Sequence, residues 1–165
     1  MEESYAVRLS QLLTKSTVRA KVPVRNWEEA IRTGGGLLEQ SGAVSKAYVE
    51  GMVKNMQTLG PYIVLAPGIA MPHARPELGV YRLGVSLITL ANPINFGNPD
   101  NDPVSLVFCL AAPDDKTHLE MMSDWVHLMA AADRIAAILD ADNTEEILSV
   151  IIDTGVSELS KEVIL

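Results

Sequence analysis

Cysteine is nearly absent from this 165-residue chain. Cys109 stands alone, which excludes an internal disulfide and a multi-cysteine zinc site. It lies in the apolar run from Val104 to Leu110 and reads as an inert buried thiol. Long hydrophobic runs are missing too. None approaches the ~20 residues that a membrane span needs, and Met1-Glu2-Glu3 lacks the basic opening of a secretory signal. These absences together point to the cytoplasm. No basic cluster interrupts an acidic composition of net charge -8, so nucleic acid is a poor partner: binding would have to begin by attracting phosphates. Repeats, low-complexity tracts and domain-separating linkers are also lacking. The expectation is one domain over residues 1–165, with its core over about 5–153.

What is present alternates between helical and extended patterns, the mark of an α/β fold. A short helix is expected over Tyr5 to Leu13 and an extended stretch over Thr17 to Val22. Asn26-Trp27-Glu28-Glu29 reads as a capping box in which Glu29 reaches back to the cap, opening a helix to Gln40 that stops near Gly42. Ser45 caps a second helix that ends before Gly60-Pro61. Tyr62 to Ala66 and Gly68 to Met71 are short β-type runs, whereas Leu83 to Leu90 and Val104 to Ala111 are apolar on both faces. Strands of the latter kind lie mid-sheet under two covering layers. Asn92-Pro93 and Gly97 to Pro103 carry turn chemistry. Leu119, Met122, Val126 and Met129 recur at spacings of three, four and three, a helical stripe expected to pack into the core. A shorter helix follows from Arg134 to Leu139, and Asn143-Thr144-Glu145-Glu146 repeats the capping box before a last helix to about Ile152.

Candidate chemistry begins with three histidines: His73, His118 and His127. His73 lies in Met71-Pro72-His73-Ala74-Arg75-Pro76, where Pro72 offers no backbone donor and Pro76 biases Arg75 toward extended backbone. The imidazole is thus held on a stiff segment where a strand leaves the sheet. His118 follows another buried strand, and Asp114 or Asp115 could cap the helix that carries Thr117 and His118 in its first turn. Unpaired N–H groups and the positive end of the dipole favour an anion there. The two histidines could meet at one edge of the sheet. One neutral imidazole would then attack a phosphoryl group, and the other would donate an N–H to its oxygens. Such transfer needs mostly positioning and electrostatic support, so a site with no metal and no cofactor suffices.

Other features read as structural. His127 lies mid-helix, as a packing or surface residue. Gly34-Gly35-Gly36 is followed by Leu37-Leu38, so it is no phosphate-binding loop and more plausibly permits close packing on the sheet. Asp100, Asn101 and Asp102 lack the spacing and terminal glutamate of a calcium loop.

The string GPYIVLAPGIAMPHARPE, with DNDPV and AAPDDKTH, resembles the enzyme IIA components of the mannitol/fructose-type sugar phosphotransferase superfamily, and the L-ascorbate branch most closely. The resemblance implies a mixed sheet of about five strands flanked by helices on both faces. It implies that His73 takes a phosphoryl group from the phosphocarrier HPr and passes it to a cysteine of a IIB partner, serving a membrane IIC component. His118 matches the family's second active-site histidine. Mannitol-type members carry an arginine in the helix before the motif, and the matching region here, around Asn55, has none. Arg75 is a candidate to supply the missing charge from the other side, with a solvent-exposed ion pair to Glu77 as its alternative. Asn55 and Thr117 are further phosphate-binding candidates. Met56, Leu59, Leu78 and Val80 are candidate docking contacts for HPr and IIB. A regulatory phosphoprotein of the same fold would show identical site chemistry, and a metal-dependent hydrolase using both histidines is disfavoured because no His/carboxylate cluster has ligand spacing. The transported sugar is not legible, and a homo-oligomer stays open.

Overall fold

The computed structural model describes residues 5–152. Their elements run α1 (Tyr5–Leu12), β1 (Val18–Val22), α2 (Trp27–Gln40), α3 (Lys46–Leu59), β2 (Val64–Ala66), β3 (Ile69–Ala70), a 3₁₀ turn (Pro76–Leu78), β4 (Gly84–Ile94), β5 (Val104–Ala111), α4 (Asp115–Met129) and α5 (Ala132–Asp140). Residues 144–152 form a final helical stretch. The strands make one mixed five-stranded sheet in the order β1-β4-β5-β3-β2. β1 runs parallel to β4 and β3 parallel to β5, while the β4–β5 and β2–β3 pairs are antiparallel. Helices cover both faces, as expected. α2 and α3 pack one core with Ile88, Val107 and Cys109, and α1, α4, α5 and residues 144–152 pack the other with Leu87, Leu106 and Phe108. Neighbours along β4 and β5 serve opposite cores, which is why both strands read as unbroken apolar runs.

Local rules explain most boundaries. Asn26 and Ser45 accept the N–H groups of Glu29 and Tyr48 as N-caps. The expected back-reach of Glu29 is corrected by one position: its carboxylate accepts from the N–H of Arg25, at 2.8 Å, instead of from Asn26. Glu146 likewise accepts from Asp142, one residue before the cap Asn143. β2 and β3 are shorter than their apolar runs because Pro61, Pro67 and Pro72 have no donor for a ladder. β4 overruns the turn expected at Asn92-Pro93. Its register shifts between Thr89 and Ile94, where residues 91–93 are exposed, so the missing N–H of Pro93 breaks no ladder bond.

The stripe on α4 is the larger correction. Leu119 and Val126 are 66% and 50% exposed, whereas Met121, Trp125 and Leu128 face the core. Two apolar stripes run side by side on this helix, and periodicity cannot rank them. The Trp125 ring stacks on Phe108 of β5 at a centroid distance of 4.0 Å and 8°, and that contact settles which stripe faces inward. An aromatic pair of this kind contributes roughly 0.5–1.5 kcal/mol beyond its area. Met122 and Met129 are left half-buried at the margin.

The glycine run behaves as expected at Gly34, where a Cβ would stand 2.7 Å from the Cys109 sulfur, and differs at Gly36, where a Cβ would meet nothing within 4 Å. The Gly34 carbonyl also accepts from the Ser86 hydroxyl at 2.8 Å, which locks α2 onto β4. Gly34→Val should therefore destabilise the protein by about 1–3 kcal/mol through overpacking, whereas Gly36→Ala should stabilise it by about 0.5–1 kcal/mol through helix propensity. Urea unfolding monitored by circular dichroism measures both, and a Gly34→Val protein as stable as wild type would refute the close packing.

Candidate functional site

β3 and β5 are adjacent and parallel, so their C-terminal ends lie on the same side of the sheet. His73 follows β3 by three residues and His118 sits in the first turns of α4, which follows β5. The two rings approach to a centroid distance of 5.3 Å at 56°, both partly exposed at one edge of the sheet. A cavity of about 670 Å³ opens beside them, with Asn55, Tyr62, Arg75 and Asp114 among its lining residues.

The His73 ring is oriented by its own backbone. Its Nδ1 lies 2.9 Å from the carbonyl oxygen of Met71, two residues earlier. A carbonyl can only accept, so the proton of the neutral ring sits on Nδ1 and the lone pair is left on Nε2. Pro72, between the two partners, fixes one backbone angle of this short loop. Asn55 lies near from the other side, with its amide nitrogen 3.4 Å from the His73 carbonyl. Tyr62 sets the edge of its ring against the imidazole, with centroids 5.7 Å apart at 88°. Burial raises the pKa of the Tyr62 phenol, and a hydrogen bond from Asn55 partly offsets this. Both tyrosines of the site, Tyr62 here and the buried Tyr48 of α3, escaped the sequence reading. Tyr62 at least stands inside the quoted motif string, whereas Tyr48 looks like any apolar-face residue of a helix.

His118 is carried by an N-cap. Asp114 accepts the Thr117 N–H at 2.7 Å, and the His118 N–H reaches the Asp114 carbonyl at 3.0 Å. Thr117 accordingly has its amide committed, and it is not among the residues that line the cavity. Asp114 and Asp115 do line it, so the helix terminus expected to favour an anion carries two carboxylates of its own. Arg75 is exposed on the cavity wall and makes no ion pair with Glu77. His127 is exposed on α4, with its Nδ1 at 2.7 Å from the Ser123 carbonyl. Of the candidate docking residues, Leu59 and Leu78 are exposed at 67% and 43%, Val80 is half-buried, and Met56 is buried in the core. Asp102, in the segment expected to carry turn chemistry, organises its loop by accepting from the N–H groups of Phe96, Gly97 and Asn98. Among the described residues no group of three or more His, Cys, Asp or Glu side chains is placed to hold a metal ion, and no helix is long and apolar enough to cross a membrane.

Burial, and then the neighbouring His73, push the His118 pKa below the usual imidazole value; Asp115 opposes them. The sign is that of a base whose charged form is disfavoured, so His118 stays neutral at neutral pH and protonates only under more acidic conditions than a free imidazole. In His73→Ala the ring loses both a repelling neighbour and part of its cover, and its midpoint should rise. Titration of the His118 ring by NMR checks this, and a midpoint that does not move in the variant would show the two rings to be uncoupled.

Comparison with known proteins places the chain in a family. Residues 11–154 match the family model described as phosphoenolpyruvate-dependent sugar phosphotransferase system, EIIA 2. The ascorbate-specific PTS system EIIA component of Escherichia coli (strain K12) is 40% identical over 110 residues, 67% of this chain and 71% of that protein. The solution structure of the mannitol-specific cryptic phosphotransferase enzyme IIA CmtB from Escherichia coli superposes with a TM-score of 0.79 at 30% identity, covering 87% of this chain and 97% of that one. The enzyme IIA of the Escherichia coli mannitol system, solved in complex with phosphorylated enzyme IIB, shares the fold with a TM-score of 0.75 at 23% identity, covering 86% and 99%. The family match spans the sheet, both helical layers and both histidines, and the chain belongs to the EIIA 2 family of the phosphoenolpyruvate-dependent sugar phosphotransferase system.

Proposed function

We propose that the protein is a cytoplasmic phosphocarrier in which His73 accepts a phosphoryl group from phospho-HPr and passes it to a cysteine thiolate of a IIB component. The observation that carries this reading is the Met71 carbonyl on His73 Nδ1, which leaves Nε2 as the nucleophile beside an open cavity. In the first step the Nε2 lone pair attacks phosphorus, the donor's N–P bond breaks, and its electron pair returns to the HPr imidazole. In the second the thiolate attacks, the His73 N–P bond breaks, and Nε2 regains its lone pair. The proton stays on His73 Nδ1 throughout, hydrogen-bonded to the Met71 carbonyl, so no general base is required for either step. His118, neutral at the start, donates a ring N–H to the phosphoryl oxygens as charge spreads over them. Arg75 supplies the cationic contact from the cavity wall, where the mannitol-type members place an arginine on the preceding helix. Asn55 holds the His73 backbone and is the neutral donor on that side, and Thr117 contributes through the helix start that it shares with His118.

The relatives point to the cargo. An ascorbate-specific EIIA component aligns over two thirds of this chain, which favours L-ascorbate or a related sugar acid, bound by a membrane IIC component and not by this protein. The mannitol enzyme IIA solved with its phosphorylated IIB partner supports a IIB protein as the acceptor.

Intact-protein mass spectrometry after incubation with phosphoenolpyruvate, enzyme I and HPr should show one added phosphoryl group, labile in acid and stable in base, absent in His73→Ala. Equal labelling of that variant would remove His73 from the role. His118→Ala should still be labelled but pass the group to IIB about 10²–10³-fold more slowly, the scale of losing one transition-state donor. An unchanged transfer rate would exclude it. Reconstituted uptake with the IIB and IIC proteins separates a transport component from a regulatory phosphoprotein, because only the former restores sugar movement.

A further inference from the structure

The chain around His73 leaves the sheet in an unusual way. Extending the β3–β5 register, in which Ile69 pairs with Leu106 and Ala70 with Val107, would set His73 opposite Leu110. Leu110 does bind this segment, and it holds it on both sides of the histidine. Its N–H donates to the Pro72 carbonyl at 3.1 Å. Its carbonyl does not receive the Ala74 N–H directly. The Tyr48 hydroxyl stands between them, donating to the Leu110 carbonyl at 2.6 Å and accepting from the Ala74 N–H at 3.0 Å. Tyr48 comes from the first turn of α3, opposite the sheet, and is only 1% exposed. Burial holds its phenol well above the ordinary range, so it remains a donor at every working pH.

We infer that Tyr48 is a positioning residue, a side-chain splice in the β3–β5 ladder that sets the distance between the His73 and His118 imidazoles. This inference rests on the phosphocarrier reading for its kinetic consequence but not for its geometry. The splice pries the chain away from β5 just after His73 while keeping it tied to Leu110, and Leu110 belongs to the strand that leads directly to His118. One hydroxyl therefore refers both rings to the same residue. A direct Ala74–Leu110 bond would draw the segment against the strand, and no bond at all would free it. Tyr48 does not reach the cavity, so its action is wholly through the Ala74 backbone.

Tyr48→Phe keeps the ring in the core and deletes the splice. Single-turnover transfer from phospho-HPr at saturating donor should fall roughly ten- to a hundred-fold, the penalty of a displacement near one ångström, with the KM for HPr changed less than twofold. Val53→Ala, a buried change on the same helix away from the site, controls for stability. It should lose as much or more in thermal midpoint and keep its rate. A Tyr48→Phe rate equal to wild type, or an equal loss in Val53→Ala, overturns the inference while leaving the phosphocarrier reading intact. If the wild-type protein accepts no phosphoryl group, that reading falls, and the geometry is judged by the His118 ring titration. Its midpoint should move toward the ordinary imidazole value in Tyr48→Phe as the rings part, and an unmoved midpoint overturns the splice. Amide exchange in the unmodified protein gives a check that needs no variant: the Ala74 N–H should be protected, and exchange as fast as that of an open loop would refute it.

Discussion

Every functional statement about this site depends on the bond from His73 Nδ1–H to the Met71 carbonyl. An imidazole with a free choice of tautomer presents either nitrogen, and some of its encounters with a donor would meet the wrong one. Here the backbone two residues upstream makes the choice, and Pro72 stiffens the short loop in which it is made. The ring is also flanked, by Tyr62 on one side and His118 on the other. It needs no neighbouring acid to hold it, unlike a histidine that must act as a general base, because the proposed chemistry moves a phosphoryl group between lone pairs without taking a proton.

The electrostatics of the cavity fit a carrier better than a tight binder. Asp114, Asp115 and Glu77 share its wall with a single exposed arginine, Arg75. The chain as a whole carries net charge -8. A site ringed by buried cations would hold a phosphoryl group firmly and release it slowly. One lined by a neutral imidazole, an exposed guanidinium and several carboxylates would hold it loosely, which suits the proposed relay with its discharge to a second protein. The depressed pKa of His118 belongs to the same design: burial, and then the neighbouring His73, disfavour its charged form and leave the ring neutral.

Packing of the fold explains how such a loose site keeps its geometry. The helices on one face are locked to the strands by contacts with no slack, among them Gly34 against Cys109 and Ser86 against the Gly34 carbonyl. On the other face the Phe108–Trp125 stack fixes the rotation of α4, and with it the direction in which His118 points. Ser45, at the start of α3, donates to the Leu78 carbonyl at 2.9 Å and so ties down the 3₁₀ turn that closes the cavity beyond Arg75. Rigid layers below and short polar ties above leave an open rim that is nonetheless ordered.

Local chemistry in the chain was enough for the helix caps at Asn26 and Ser45, the doubly covered strands β4 and β5, the existence of β3 within its longer apolar run, and the placement of both histidines just past strand ends. Those features depend on neighbours in sequence, or on burial that shows directly in composition. Three others depended on contacts between distant residues and were therefore invisible: the choice between two equally apolar stripes on α4, decided by Trp125 meeting Phe108; the continuation of β4 through Pro93, decided by a register shift against β5; and the hydroxyl of Tyr48 bridging Ala74 and Leu110 across 26 and 62 residues. A one-dimensional pattern records which residues can be buried. Which partner each one meets is decided only when the layers close.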